Sequence, residues 1–274
     1  MTIQRLIETV QHESGMDISV YAASFLQNTL AQRVKETGSA GLSEYMAFLR
    51  TDREELSKLS DALHISYTLF FRNPLDVSIL EGFVLPDLMQ VKEHNNSSSL
   101  RIWSVGCAEG PEAFSLAMLA DTVISGRDYK IPVMVFGTDI CPAAVDKARE
   151  GCYDSNALQN ARLSYIDRYF NLKKSTFFVK DQILHHVDFS VGDITDPEYT
   201  SPPAAIFADF DLVSCCNLLI YYHYDIQQII LEKLYHSLGR NGYLVVGESE
   251  RQIVENFGKL RHLYPIGNIF VKNK

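Results

Sequence analysis

Residues 104–115, SVGCAEGPEAFS, follow the mostly apolar residues 100–103, LRIW, and carry glycines at positions 106 and 110. An apolar run of this kind predicts a buried strand, and Pro111 suits the first turn of a helix, where its missing N–H costs nothing. The stretch therefore predicts a strand, a tight glycine turn and a helix. Such a turn lets a ligand approach the backbone closely, although a packing turn between strand and helix explains the pattern equally well.

The glycine turn departs from a dinucleotide-binding loop in two ways. A dinucleotide fingerprint needs a third glycine at position 111, where this chain has proline. Glu109, beside the turn, would repel a pyrophosphate. The pattern favours a nucleoside without phosphates, above all S-adenosylmethionine, because its sulfonium is cationic.

Strand patterns alternate with helix patterns from residue 100 onward. The predicted strands include LRIWSV, PVMVFGTD, DLVSCC and GYLVVG. This alternation predicts an α/β fold with a doubly wound parallel sheet, in which ligands bind at the carboxyl ends of the strands. The alternation lapses over residues 155–190, where short strands such as STFFV and VDFSV predict a small antiparallel β insertion.

The first part of the chain carries helical patterns instead. Asp17 or Ser19 can cap a helix that Gly38 ends, and two further amphipathic helices follow. We therefore predict a helical N-terminal domain over residues 1–75 and a connecting helix over 76–95, with a kink or new turn at Pro86. The nucleoside-binding domain is predicted over 96–274.

Composition and charge exclude several classes of protein. The chain of 274 residues is 46% hydrophobic and 22% charged, as globular proteins are, and has a formal net charge of -9. This charge argues against nucleic acid or an anionic membrane as the main partner. The sequence contains neither a membrane-spanning run nor a secretory signal, so we expect a cytoplasmic protein without membrane insertion. The cysteines and histidines have no metal-ligand spacing, so no metal is expected.

Three polar residues are predicted at the carboxyl ends of strands. Asp139 can accept hydrogen bonds from both ribose hydroxyls, or it caps the following helix. The amide of Asn217 either faces the crevice or forms a turn. Asp193 either accepts a hydrogen bond from an adenine amino group or is a turn residue.

Ordered sequence blocks along almost the whole chain resemble the chemotaxis receptor methyltransferases of the CheR type. TLFFRNP at 68–74 resembles the T-x-FFR signature of that family, and IWSVGCAEGPEAFS resembles its WSAGCSTGEEPYS loop. GTDICPAAVDKAREGCY, DRYF, NLLIYY and NGYLVVGESE are similar to four later blocks. The resemblance implies a small all-helical domain followed by a class I S-adenosylmethionine methyltransferase domain with a small β insertion.

The resemblance also implies a reaction and a set of site residues. The reaction is methylation of glutamate side chains on the helical cytoplasmic domain of a chemoreceptor, with S-adenosylmethionine as cofactor and S-adenosylhomocysteine as product. Glu112 would lie near the methionyl or sulfonium end, Asp139 at the ribose, and Asp193 with Ile194 at the adenine. The full set of implied cofactor-binding residues is Ser66, Thr68, Arg72, Gly106, Glu112, Asp139, Asp193, Ile194, Asn217 and Leu218.

Several of these positions depart from the family pattern. Ser66 and Asp193 stand where the family has asparagine, and Cys216 replaces an arginine. In the glycine loop, Glu109 and Pro111 replace a threonine and a glutamate. These changes leave cofactor binding as the expectation and leave the methyl acceptor open.

Recognition of a chemoreceptor is expected to differ as well. The helix that presents several arginines to acidic receptors in this family has only Arg33 and Lys35 here. The KKST turn at 173–176 lacks the glycines associated with recognition of a receptor tail. Tail-independent recognition is therefore expected if the substrate is a chemoreceptor.

Methyl transfer to a carboxylate needs in-line placement and partial desolvation more than acid–base help. The predicted catalytic residues are Arg72 and Tyr221. Arg72 can hold the substrate carboxylate, bind the carboxylate of the cofactor, or form an ordinary surface ion pair. Tyr221 can direct its hydroxyl at the sulfonium or the substrate, or simply pack in the core.

Two other functions stay open beside glutamate methylation. One is a methyltransferase of the same fold that acts on another protein or a small carboxylic acid. The other is a non-catalytic module that binds or senses S-adenosylmethionine.

Overall fold

The computed structural model describes residues 3–63, 68–94, 99–127, 131–205 and 208–272. The chain divides into two compact units. Unit 1 comprises Met1–Ile65 and Leu219–Gln228, and unit 2 comprises Ser66–Leu218 and Ile229–Lys274. Unit 1 is helical, and unit 2 carries the two sheets.

Unit 1 contains the helices α1 Ile3–Ser14, α2 Ala23–Thr37, α3 Leu42–Leu49 and α4 Arg53–Leu63. Three of these helices, α2 to α4, follow the predicted amphipathic patterns, whereas α1 was not predicted. Gly38 ends α2 in the left-handed conformation, with a φ of 71°, as predicted. The predicted cap of α2 is wrong: Ala22 is the N-cap, while the Asp17 carboxylate accepts a hydrogen bond from the Ser19 N–H.

A buried ion pair lies inside unit 1. The Arg33 guanidinium donates to both carboxylate oxygens of Glu55, at 2.9 and 2.6 Å, and only 12% of the Arg33 side chain is exposed. The Tyr45 hydroxyl donates to the same carboxylate at 2.8 Å, and burial raises the pKa of Tyr45. The hydrogen bond to Glu55 raises the pKa of Arg33. The Arg33 side chain is therefore mostly buried in unit 1 and paired with Glu55, whereas Lys35 is exposed.

Unit 2 begins with an interrupted helix. Its parts are α5 Pro74–Ile79, a π-helical turn at Leu80–Val84 and α6 Leu85–His94. Pro86 is the second residue of α6, directly after the π turn. The irregularity expected near Pro86 is thus present, and it takes the form of a wider turn.

The main sheet has seven strands in the order β6-β2-β1-β7-β8-β10-β9. The bounds in chain order are β1 Leu100–Val105, α7 Pro111–Arg127, β2 Val133–Asp139, α8 Pro142–Glu150, β3 Cys152–Tyr153, α9 Leu163–Tyr169, β4 Phe170–Lys173, β5 Thr176–Val179, α10 Asp181–Leu184, β6 Val187–Val191, β7 Phe210–Cys215, α11 Tyr224–Ser237, β8 Leu238–Val246, α12 Arg251–Phe257, β9 Leu260–His262 and β10 Ile269–Lys272. The first five strands of the order pair in parallel, and β10 pairs antiparallel with β8 and β9. The mostly parallel doubly wound sheet is as predicted.

The strand order reverses at β1, which lies between β2 and β7. Crossovers leave toward both sides of this strand, so a crevice opens at its carboxyl end. The strands here are buried; Trp103 is 0% exposed and its indole N–H donates to the Thr138 hydroxyl of β2 at 2.9 Å. The rigid centre of the sheet thus lies directly under the crevice.

A three-stranded antiparallel sheet, β3-β5-β4, forms the predicted insertion. The assignment of VDFSV to this insertion is wrong. That segment is β6, which pairs in parallel with β2 at the edge of the main sheet. A five-residue strand of alternating apolar and polar residues has the same local pattern in either sheet, and here the parallel register brings its end beside Asp139.

Candidate active site

The glycine turn between β1 and α7 is held in left-handed conformations at three alternate positions. The φ angles are 66° at Gly106, 49° at Ala108 and 97° at Gly110. A Cβ at Gly106 would lie 3.1 Å from Cδ1 of Leu218. The Cys107 N–H donates to a backbone carbonyl of β2 at 3.0 Å, which fastens the turn to the neighbouring strand. The turn is therefore preorganised at the carboxyl end of β1.

Asp139 ends β2 and accepts two backbone hydrogen bonds. The Ala108 N–H donates to Oδ2 and the Cys141 N–H donates to Oδ1, each at 2.9 Å. Cys141 is the N-cap of α8 and no side chain caps that helix, so the helix-cap alternative for Asp139 is wrong. Each carboxylate oxygen has a second acceptor position, which leaves room for the hydroxyl pair of a ribose.

Glu112, in the first turn of α7, points back toward the sheet. Its Oε1 accepts a hydrogen bond from the Ser104 hydroxyl at 2.8 Å. Desolvation raises the pKa of Glu112. The hydroxyls of Ser104 and Ser214 and the thiol of Cys216 oppose the rise, and the charge of Glu250 adds to it. A desolvated carboxylate of this kind gains most from a cation placed beside it.

Asn217 and Leu218 form the turn at the end of β7. Asn217 has a φ of 60°, which asparagine tolerates better than most residues. The carboxylate of Glu250 accepts hydrogen bonds from both backbone N–H groups of this turn, each at 2.7 Å. Asn217 therefore forms a turn, which was one of its two predicted roles. A role for its amide in the crevice stays a prediction. Glu250 was not predicted, although it lies in the NGYLVVGESE block.

Asp193 lies just beyond the end of β6. Its Oδ1 accepts hydrogen bonds from the N–H and the hydroxyl of Thr195, at 2.8 and 2.6 Å, so the turn alternative describes what this carboxylate does in the structure. Ile194 is buried, and its carbonyl accepts a hydrogen bond from the Lys233 amine at 2.8 Å. A role for Asp193 and Ile194 at an adenine stays a prediction.

The TLFFR segment is anchored by its two phenylalanines. Phe70 is fully buried and packs edge-on against Tyr153 and Phe170, with ring centroids 4.9 and 5.1 Å away. The Phe71 N–H donates to the Ser115 hydroxyl of α7 at 3.0 Å. The segment therefore runs beside the first turns of α7.

Thr68 and Arg72 flank this anchored pair. Thr68 is half-buried and Arg72 is exposed. Ser66 lies outside the residues that the structure describes. The cofactor or substrate contacts of Thr68 and Arg72 stay predictions.

Tyr221 belongs to unit 1, in the 3-10 turn Leu219–Tyr221. Its carbonyl accepts the Ala22 N–H at 2.7 Å, and its ring packs against Phe25 with centroids 4.9 Å apart. The ring is therefore engaged in packing, the second of the two predicted roles. A catalytic role for its hydroxyl stays a prediction.

Glu109, which argued against a pyrophosphate, is turned toward α8. Its carboxylate pairs with the Lys147 amine at 2.7 Å, and its carbonyl accepts the Tyr153 hydroxyl at 2.6 Å. Lys147 therefore compensates the charge of Glu109. The case against a pyrophosphate rests more on Glu112 and Asp139 than on this residue.

Two kinds of feature are absent from the residues that the structure describes. In that part of the chain, histidine, cysteine and carboxylate side chains make no group of three or more that could hold a metal. Among the helices so described, none is long and apolar enough to cross a membrane.

Unit 2 thus brings together five of the ten predicted cofactor residues. Gly106, Glu112, Asp139, Asn217 and Leu218 share the carboxyl ends of the central strands. Two carboxylates beside a fixed glycine turn suit a ligand that has hydroxyl groups and positive charge, which S-adenosylmethionine has. The residues present therefore fit this cofactor.

Comparison with known proteins gives matches over most of the chain. Residues 1–64 match the CheR methyltransferase all-alpha domain, and residues 66–263 match the CheR methyltransferase SAM-binding domain. A chemotaxis protein methyltransferase of Borreliella burgdorferi is 28% identical over 90% of this chain and 87% of the relative. Chemotaxis protein methyltransferase 1 of Pseudomonas aeruginosa is 30% identical over 82% of this chain and 81% of the relative.

A third relative is longer than this chain. The probable biofilm formation methyltransferase WspC of Pseudomonas putida is 29% identical over 94% of this chain, which spans 58% of that protein. The matches confirm the predicted family, the class I fold and a methyltransferase domain that binds S-adenosylmethionine. The chain belongs to the CheR methyltransferase family.

Proposed function

We propose that this protein transfers the methyl group of S-adenosylmethionine to glutamate side-chain carboxylates of a chemoreceptor-like helical protein. The observation that carries the proposal is the pair of carboxylates, Glu112 and Asp139, on either side of a preorganised glycine turn. The relatives named as chemotaxis protein methyltransferases support the same reaction class.

The cofactor is proposed to lie across the carboxyl ends of the strands. Asp139 accepts the ribose hydroxyls through the acceptor positions that Ala108 and Cys141 leave open. Glu112 faces the cationic methionyl part, and Asn217 with Leu218 closes the other side. Asp193 and Ile194 frame the adenine, and Thr68 completes the pocket from the TLFFR segment.

Bound there, S-adenosylmethionine supplies an activated methyl group: a carboxylate oxygen forms the new C–O bond as the C–S bond breaks, and S-adenosylhomocysteine leaves as a neutral thioether. No proton moves in this step, so the protein has to place and desolvate the acceptor rather than deprotonate it. The exposed Arg72 is our candidate for holding the acceptor carboxylate, because a guanidinium pairs with it in a bidentate manner and stays charged. The carboxylate of the cofactor is the alternative partner of Arg72.

Recognition of the acceptor is proposed to be independent of a receptor tail and of Arg33. The guanidinium of Arg33 is occupied by Glu55 inside unit 1, which removes one of the two basic residues expected on α2. Lys35 remains exposed on that helix. We propose that the helical body of the acceptor, rather than an extended peptide, is what the protein recognises.

Methylation can be tested with the full chain, methyl-labelled S-adenosylmethionine and a purified cytoplasmic fragment of a chemoreceptor. We expect label in the fragment that mild alkali releases as methanol, because a glutamyl methyl ester is base-labile. A fragment with glutamine at the acceptor glutamates is the control and should take up no label. Binding of the cofactor is measured in parallel by calorimetry.

The outcomes separate the three functions considered above. Tight cofactor binding with base-labile label in a small carboxylic acid, and none in the receptor fragment, would mean that the methyl acceptor is a small carboxylic acid and not a chemoreceptor. Binding without transfer to either acceptor would favour a sensing module. Absence of binding at high micromolar concentrations of S-adenosylmethionine would overturn the proposal as a whole.

Affinity for S-adenosylmethionine should fall as the pH is lowered. Desolvation raises the pKa of Glu112 in the cofactor-free protein, so its carboxylate takes up a proton at a higher pH than an exposed glutamate does. The protonated form no longer attracts a cation. We expect calorimetric titrations between about pH 5 and 8 to show weaker binding at the acid end.

The Glu112→Gln variant isolates this residue. It should bind S-adenosylmethionine about tenfold more weakly at neutral pH, having lost a charge-assisted contact, and should show a flatter pH profile. The matched control is Asp121→Asn, which alters a carboxylate on the same helix that is paired with Arg168. An unchanged pH profile in Glu112→Gln would remove Glu112 from the cofactor site.

A further inference from the structure

Glu250 is a carboxylate buried completely within unit 2. Its side chain is 0% exposed, in the 3-10 turn Glu248–Glu250 after β8. Three backbone N–H groups donate to it at 2.7 Å: those of Gly247 and Asn217 to Oε2, and that of Leu218 to Oε1. Two of these donors lie 33 and 32 residues earlier in the chain. One side chain thus joins the ends of β7 and β8.

Burying a charge so deeply needs compensation. A desolvated carboxylate is costly unless hydrogen bonds satisfy its oxygens, and three short N–H donors provide that here. The charge also acts on its surroundings, because Glu250 contributes to the raised pKa of Glu112. A neutral side chain could also bridge the turn, and it would avoid the cost of burying a charge. We take the presence of a carboxylate to mean that the backbone position of this turn matters.

The turn that Glu250 holds has little freedom to adjust. Asn217 is kept at a φ of 60°. A Cβ at Gly247 would lie 3.1 Å from both the backbone and the amide nitrogen of Asn217, so the two turns are in close contact. On the other side, the Leu218 side chain closes over Gly106 of the glycine turn. A shift at Glu250 would therefore pass through Asn217 and Leu218 to the crevice.

We infer that Glu250 is a positioning residue: through its hydrogen bonds to Asn217 and Leu218 it sets the backbone that closes one side of the cofactor pocket. The inference rests on the proposed function, since it takes this crevice as the S-adenosylmethionine site. Glu250 does not touch the cofactor, and it acts through the β7 turn. Cofactor affinity is the quantity it controls.

The central test compares Glu250→Gln with the wild-type protein. The glutamine amide group places donors against backbone N–H donors, so one side of the turn loses its hydrogen bonds. We expect the dissociation constant for S-adenosylhomocysteine, measured by calorimetry, to rise about tenfold or more. In methyl transfer, KM for S-adenosylmethionine should rise while KM for the methyl acceptor stays the same. Glu250→Asp keeps the charge on a shorter side chain, and its dissociation constant should lie between those of the wild type and Glu250→Gln.

Two controls separate positioning from loss of stability. Glu248→Gln changes an exposed carboxylate in the same turn and should leave the dissociation constant unchanged. Val254→Ala truncates a fully buried side chain of α12 and should lower the melting temperature without changing the affinity of the folded protein. The inference fails if Glu250→Gln binds as tightly as wild type, or if Val254→Ala loses as much affinity at an equal drop in melting temperature.

A measurement on the wild-type protein keeps the inference testable if the Glu250 variants do not fold. Amide hydrogen exchange should show the Asn217 and Leu218 N–H groups protected in the absence of any ligand, because a buried carboxylate already holds them. Rapid exchange at both amides in the free protein would overturn the inference. If wild type binds neither S-adenosylmethionine nor its product, the proposed function fails. The exchange rates of the Asn217 and Leu218 amides still test whether Glu250 holds the turn.

Discussion

We expect Gly110→Ala to lower the free energy of unfolding by about 3 kcal/mol. Gly110 has a φ of 97°, a conformation in which an alanine is strained. An added Cβ would also lie 3.0 Å from the Ala148 Cβ and 3.0 Å from the Phe189 ring. The added methyl group and the Ala148 methyl group of α8 would be too close in the present backbone, so the glycine turn has to move. Denaturant unfolding followed by circular dichroism measures the loss.

Gly126→Ala is the matched control at the other end of α7. A Cβ there meets nothing within 4 Å, and the residue is exposed. Because alanine has the higher helix propensity, this substitution should be neutral or stabilise the protein by up to about 1 kcal/mol. Equal effects at the two glycines would mean that α7 tolerates a methyl group at its start, and that the turn is not rigid.

Asp139→Ala should have the largest effect on cofactor binding. We expect affinity for S-adenosylmethionine to fall by about 2 kcal/mol, roughly thirtyfold, through loss of charge-assisted hydrogen bonds to the ribose. The variant also frees the Ala108 and Cys141 N–H groups, so the glycine turn loses a support. Isothermal calorimetry with S-adenosylmethionine and S-adenosylhomocysteine should show similar losses for both, because they share the ribose.

Two other variants show whether the effect belongs to this carboxylate. Asp139→Asn keeps one acceptor oxygen without the charge and should fall between wild type and Asp139→Ala. Asp146→Ala changes an exposed carboxylate on α8 that pairs with Arg149, and it should not alter affinity. If Asp139→Ala binds like wild type, the assignment of this residue to the ribose is wrong.

The architecture of unit 2 was readable from local pattern. Strands rich in apolar residues alternate with helices, and this alternation leaves few possibilities other than a parallel sheet. Gly106, Gly110 and Pro111 marked the turn because each satisfies a local backbone requirement. The same reasoning misplaced VDFSV, since the pattern of a short strand does not say which sheet it joins.

Residues of the candidate site could be predicted from the sequence pattern only where they follow the end of a strand. Asp139 and Asn217 follow predicted strands, so topology alone brings them to the crevice. Glu250 was not predicted because two of its hydrogen-bond donors are backbone N–H groups more than 30 residues away in the sequence. The pattern of side chains along the sequence carries no information about such backbone donors. The predicted cap of α2 failed for a related reason: Asp17 satisfies a nearer backbone N–H before the helix begins.

The Arg33–Glu55 pair has a consequence for how the protein meets a partner. A guanidinium satisfied internally adds little to the field outside the molecule, and the chain as a whole carries a net charge of -9. If the partner is an acidic helical bundle, as the proposed function implies, diffusional encounter gains no long-range acceleration from α2 through Arg33. Formation of that complex would then depend on short-range fit once the surfaces touch, with dissolved ions shielding the repulsion between two acidic proteins.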